Sequence, residues 1–172
     1  GGGDLGFEAL IHRESRGKQF GADGKPLTSS AGAVGIAQVM EGTGPEAAKL
    51  AGLKWDRDKW LRDEDYNKAI GRAYFNRQLR DFGDVEKAWA AYNAGPGALR
   101  KALSIAEAAD GELRRDGKAP TGDWLRFMPK ETRDYVAANR QYVQARGFAS
   151  TEPTLAQAEE RVLADPRIGD NP

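Results

Sequence analysis

Between Asp63 and Gly97 the chain spells two helices in succession, each with its start and stop signals. Asp63 stands where a side-chain oxygen can accept free backbone N–H groups. Tyr66, Ile70, Ala73, Tyr74 and Leu79 then follow at helical spacing up to a stop near Gly83. Asp84 caps again at once, setting Val85, Ala88, Trp89 and Tyr92 on one stripe before Gly95-Pro96-Gly97 breaks the chain. Strands do not compete, because Val and Ile together number only 11 and no stretch alternates apolar and polar residues between turns.

The same punctuation organises the rest. Asp4 is the expected cap of a first helix in which Phe7, Leu10, Ile11 and Glu14 share a face. Residues 15 to 35 read as loop, with Gly24-Lys25-Pro26 as a turn, and a short helix is expected over Ile36 to Glu41. Thr43-Gly44-Pro45-Glu46 has the pattern of a capping box for a helix that Gly52 stops. After Gly97 an Ala-rich helix is expected to about Ala109, then a polar, turn-rich, exposed insertion over 110 to 128. Pro129 starts a helix through Glu131, Tyr135, Val136, Asn139 and Val143, with Gly147 as its expected end. The fold class is all-α, a single compact multi-helix domain over residues 1–147. Residues 148–172 carry net charge −3 and read as a peripheral extension or linker with a short helix over 154 to 164.

Composition removes whole classes of function. Twenty-six basic side chains balance 26 acidic ones, so no global field draws the protein to nucleic acid or an anionic membrane. No apolar run reaches the roughly 18 residues of a membrane span. With no Cys and a single His, thiolate chemistry, Cys-ligated zinc and a His-rich metal centre are all excluded; no metal or cofactor is expected. Leu, Ile, Val and Phe are scarce, yet four Trp, five Tyr and six Phe mark a globular chain rather than a disordered one.

Glu14 is the residue that stands out. Its helical face carries Phe7, Leu10 and Ile11 toward a core, so the carboxyl arrives at the edge of an apolar surface. Desolvation there raises its pKa, which suits a proton donor working near neutrality. The plainer reading is a helix-end glutamate paired with Arg13 or Arg16. Gly32-x-x-Gly35-x-x-Gln38 lets backbone pass close to a ligand and offers an amide that can donate and accept, whereas a tight helix contact is its plainer use.

Four motifs occur in order: Glu14-Ser15; Gly32-x-x-Gly35-x-x-Gln38-x-Met40; Ala91-Tyr92-Asn93-Ala94-Gly95; and Pro129-x-Glu131-Thr132-x-x-Tyr135-Val136. This series resembles the soluble lytic transglycosylase domain, of the goose-type-lysozyme-like superfamily, over residues 4 to 147. The resemblance implies a lysozyme-like fold and peptidoglycan glycan strands as the partner. It also implies Glu14 as the single catalytic acid, with Ser29, Gln38, Met40, Tyr92, Glu131 and Tyr135 holding substrate or the acid around it. Glu14 would cleave the MurNAc–GlcNAc bond without water and leave a 1,6-anhydro end. Asn93 either ties down its helix end or touches sugar.

Departures from the family pattern keep alternatives open. Seventeen residues separate Glu14 from Gly32, and this longer segment brings in Asp23. If Asp23 positions a water, the enzyme is a lysozyme-type hydrolase; a glycan-binding module without catalysis is the third reading. The 98–128 stretch is a candidate extra cleft wall. Of Trp55 and Trp60, one is expected in the core and one as a sugar platform, while His12 is expected at the surface. The substrate places the action in the periplasm or at the cell wall. Gly1-Gly2-Gly3 without a Met, together with the acidic tail, reads as a domain cut from a larger polypeptide, with a phage virion component preferred over a bacterial wall-remodelling enzyme.

Overall fold

The computed structural model describes residues 2–151, with side chains over 4–147; the expected 154–164 helix lies outside them. Among the described residues seven α-helices run α1 Gly2–Ser15, α2 Gly44–Leu50, α3 Arg57–Arg62, α4 Glu64–Phe82, α5 Val85–Ala94, α6 Pro96–Arg115 and α7 Lys130–Thr151. A 3-10 turn, Leu125–Phe127, precedes α7. Isolated antiparallel bridges, Phe20 with Pro26 and Val34 with Thr28 and Val39, are the only extended pairing among the described residues. No helix among the described residues is long and apolar enough to cross a membrane.

Helix α5 is the axis of the fold, packed on α1, α4, α6 and α7. Its Ala88, Ala90 and Ala91 are buried, and small side chains there let the surrounding helices approach closely. Trp89 is buried among them and donates its indole N–H to the Gly6 carbonyl at 2.9 Å, locking α5 to α1. Phe7, Leu10, Ile70, Phe75, Leu99 and Val136 are the larger fully buried apolar side chains around them.

The caps expected at Asp63 and Asp84 are present. Asp63 accepts from the Tyr66 N–H at 3.0 Å, Asp84 from that of Glu86 at 2.7 Å, and Gly83 closes α4 in the left-handed conformation. Other expectations need correction. Helix α1 begins at Gly2, so Asp4 lies inside the first turn, where it pairs with Arg72 at 3.2 Å instead of capping. Thr43 precedes α2 but sits at φ −84°, ψ −22°; a helical backbone does not aim the hydroxyl at the free N–H groups, and the capping box does not form. Helix α3, which no periodic pattern announces, is capped by Asp56 at the Lys59 N–H (3.1 Å).

Helix α6 runs past Ala109 to Arg115 because Ala102, Ala106 and Asp110 continue its buried face. The Asp110 carboxylate then accepts the N–H groups of Thr121 (2.9 Å) and Gly122 (3.0 Å), which hold it below the usual carboxylate range. The stretch 110–128 is largely exposed, as expected, but it is part helix and part loop pinned by Asp110. Gly147 does not end α7, which continues to Thr151; it keeps helical geometry against Leu5 of α1.

Candidate active site

The last turn of α1 carries Glu14, and Ser15 fixes where that turn ends. Ser15 is buried and donates to the Ile36 carbonyl at 2.6 Å while accepting from the Gly17 N–H at 3.1 Å. The end of α1 is thereby tied to the segment around Gly35. That segment is a tight turn rather than the helix expected over Ile36 to Glu41. Gly35 sits at φ 81° and Gln38 at φ 49°, both outside the right-handed helical region.

Two buried amides impose this turn. Gln19 accepts the Ile36 N–H at 2.8 Å and donates to the Leu61 carbonyl at 3.0 Å. Asn67 accepts the Ala37 N–H at 2.9 Å and donates to the carbonyls of Val34 and Trp60, both at 2.9 Å. A Cβ at position 35 would stand 2.5 Å from both amides, so glycine there is required by approach as well as by φ. Neither amide belongs to a recognisable motif. Nothing local marks either one: Asn67 sits between Tyr66 and Lys68 in a polar helix, and Gln19 between Lys18 and Phe20 in a loop.

A cavity of about 420 Å³ opens beside Glu14, lined by Arg13, Glu14, Ser29, Gln38, Met40, Tyr92, Asn93, Glu131 and Tyr135 among others. The structure thus brings all the expected site residues to one place, from α1, the 29–40 loop, α5 and α7. Arg13 is the side chain that sequence reasoning missed as a cavity residue, although its position next to Glu14 was the clue. None of residues 98–128 lines this cavity. Trp60 is buried and donates to the Val39 carbonyl at 2.9 Å, with Trp55 5.9 Å away ring to ring. Neither indole lines the Glu14 cavity, and Trp60 is the one that lies in the core. His12 is half-buried, its ring 4.9 Å from that of Tyr142, and it lines a different cavity on another flank of α1.

Each side chain has a defined hydrogen-bonding state. Gln38 donates its amide to the carbonyls of Gly35 (2.9 Å) and Leu27 (3.1 Å), so what it presents is its carbonyl oxygen. The donor-plus-acceptor role expected of it reduces to an acceptor, because both amide protons are engaged. Ser29 accepts from the Ala33 N–H at 3.0 Å and keeps its own hydroxyl proton to give. Tyr92 donates to the Ala37 carbonyl at 2.6 Å, which fixes its ring against the turn. Thr132 donates to Asn93 at 2.8 Å, joining the end of α5 to the start of α7 while Asn93 still faces the cavity. Met40 is exposed at the rim.

Burial is the main reason the Glu14 pKa rises from its ordinary 4.5 to about 7. Tyr135 and Arg13 draw it back down, and the negative charge of Glu131 pushes it up. Glu14 makes no ion pair among the described residues: the Arg16 guanidinium turns to the His12 ring at 3.1 Å, and Arg13 acts only as a nearby charge. The simple salt-bridge reading therefore fails. Burial, with the Glu14 charge adding to it, also drives the Tyr92 and Tyr135 phenols well above their usual range, so both stay protonated. Glu131, by contrast, is exposed in the first turn of α7. Asp23 lies in a separate cavity with Lys25, Pro26 and Leu61, and its carboxylate accepts the Lys25 N–H at 3.0 Å as turn chemistry.

Fold and site together define a lysozyme-like helical domain with one desolvated carboxyl in an open cleft. The family model "Transglycosylase SLT domain" matches residues 6–114, and the chain belongs to that family. It is similar to an inactive glutamate-to-glutamine mutant of the lytic transglycosylase Slt from Pseudomonas aeruginosa, at 27% identity and a TM-score of 0.65. That match covers 87% of this chain and 22% of the other. The 70 kDa soluble lytic transglycosylase of Escherichia coli is similar at 27% identity and a TM-score of 0.62, covering 83% of this chain and 22% of that one. The chain thus spans about a fifth of the length of either protein. Among curated proteins none matches.

Proposed function

We propose that this domain is a peptidoglycan lytic transglycosylase in which Glu14 serves first as acid and then as base. The observation that carries the reading is the single half-buried carboxyl with a pKa of about 7 on a cavity lined by polar groups suited to sugar. An acid poised near the working pH is protonated often enough to donate and basic enough afterwards to accept.

The steps balance within the substrate. Protonated Glu14 gives its proton to the oxygen bridging N-acetylmuramic acid and N-acetylglucosamine, and the C1–O bond breaks. The sugar's own 2-acetamido group stabilises positive charge at C1, so no protein nucleophile is required. The C6 hydroxyl then closes onto C1 and returns its proton to Glu14, giving the 1,6-anhydro product with no water consumed. Most glycosidases need a second carboxylate at a set separation to activate water or attack C1. Glu131 is assigned a different part here, that of a charge raising the Glu14 pKa. Ser29 as donor and Gln38 as acceptor would hold the sugar, with Tyr92 shaping the wall and Met40 at the rim. The site of action follows the substrate, in the periplasm or at the cell wall.

Clearing of purified cell walls tests catalysis against mere glycan binding. The wild-type domain should lower turbidity, and Glu14→Gln should bind walls while leaving turbidity unchanged. Clearing by Glu14→Gln at the wild-type rate would remove Glu14 from the mechanism.

A further inference from the structure

Asn139 is fully buried on α7, one helical turn beyond Tyr135. Neither its amide nitrogen nor its amide oxygen closes a regular hydrogen bond with any described protein group. The Tyr135 hydroxyl is buried and equally without a regular partner, although it interacts with both Glu14 and Asn139. An amide at such a position is a cost to stability unless something uses it, and a leucine would fill nearly the same space. Asn139 does not line the Glu14 cavity, so substrate contact is not its use.

Donor and acceptor chemistry narrows what that use is. A phenol has one proton and can also accept, while a carboxamide offers N–H and C=O groups. With the Asn139 N–H directed at the phenol oxygen, the phenol proton is left for the group on the other side, which is Glu14. Catalytic hydrogen bonds are often long in a free enzyme and shorten as charge develops. The Glu14 carboxylate formed on proton donation is such a charge.

We propose that Asn139 is a positioning residue whose amide N–H donates to the Tyr135 hydroxyl oxygen and so aims the Tyr135 proton at the Glu14 carboxyl. The inference rests on the reading of Glu14 as the proton donor. Tyr135 then has a defined part in the cycle, stabilising Glu14 after the proton has left and releasing it when the proton returns.

The test is a double-mutant cycle on soluble peptidoglycan strands with wild type, Asn139→Leu, Tyr135→Phe and the double variant, each also melted thermally. Asn139→Leu should melt no lower than wild type yet lose about tenfold in kcat with KM little changed, as expected for one hydrogen bond to a charged group. In the Tyr135→Phe background the same substitution should change kcat by less than about twofold. The pH profile gives a readout that packing alone would not move. Glu14 is faced by Arg13 of α1, Tyr92 of α5, and Glu131 and Tyr135 of α7, and of these Tyr135 lowers its pKa by hydrogen bonding. Releasing that bond should move the alkaline limb upward in both single variants. Should Asn139→Leu fail to fold, Asn139→Ala supports the same cycle. A folded Asn139 variant with wild-type kcat and pH profile overturns the proposal, as does an equal loss in both backgrounds. An inert wild type would instead sink the reading of Glu14, and this inference with it.

Discussion

Glu14 should make the protein less stable as pH rises, and Glu14→Gln should remove that dependence. The carboxyl titrates near its ordinary 4.5 when the chain is unfolded and at about 7 when folded. Below about pH 4.5 it is neutral in both states and costs nothing. Between the two values the unfolded chain ionises first, so stability falls as pH rises, and above about pH 7 the whole penalty is present. At roughly 1.4 kcal/mol for each tenfold change, and discounted for the partial exposure of Glu14, the penalty is about 2–3 kcal/mol. In a chain of this size that is a difference of about 5–10 °C in melting temperature. Glutamine keeps the shape and cannot ionise. Any packing cost of its amide is the same at all pH values, so the change in the gap between variant and wild type isolates the carboxylate. Thermal melts of both proteins at about pH 4 and about pH 8 should show Glu14→Gln gaining about 5–10 °C relative to wild type at the higher pH. A gap that is equal at the two values, or larger in acid, would refute the claim that burial dominates the Glu14 environment.

Further outcomes follow from the groups around the cavity. Activity should fall as pH rises through about 7, because protonated Glu14 is the working form; a rate that keeps climbing beyond that limb would contradict it. Gly71→Ala should destabilise by about 1–3 kcal/mol and impair activity, since a Cβ there would sit 2.4 Å from that of Ala37 and 3.1 Å from the Tyr92 hydroxyl. Denaturant melts would check it, and a gain in stability from better helix propensity would show that the turn yields freely. Asn67→Ala should cost about 2–4 kcal/mol by leaving the Ala37 N–H and the Val34 carbonyl unpaired, and should lower wall clearing even where the protein stays folded.

What could be read from the sequence was what is local. Asp63, Gly83 and Asp84 act on their own neighbours in the chain, and these boundaries match the structure. The helix α3 offered only six residues, too few for a period to show. Ile36 to Glu41 looked helical because its apolar spacing is helical, but Gln19 and Asn67 reach in from distant segments and hold it as a turn. Tertiary hydrogen bonds of this kind leave no periodic trace. The site residues other than Ser29 were reached through the order of four motifs, Ser29 through the family resemblance just before the second, and the cavity gathers every one of them. Their hydrogen-bonding states were not legible: that Gln38 has only its carbonyl to offer depends on the carbonyls of Leu27 and Gly35 standing beside it. Asn139 was counted as one more residue on a helical stripe, although its burial without a regular partner is what sets it apart.

The most direct test of the central claim is the mass of the muropeptides released from purified peptidoglycan. Closure of the C6 hydroxyl onto C1 predicts products about 18 Da lighter than those of hydrolysis, by the missing water, with no free reducing end. Release of the heavier, reducing-end products would contradict an acid–base role for Glu14 alone and require a carboxylate that activates water.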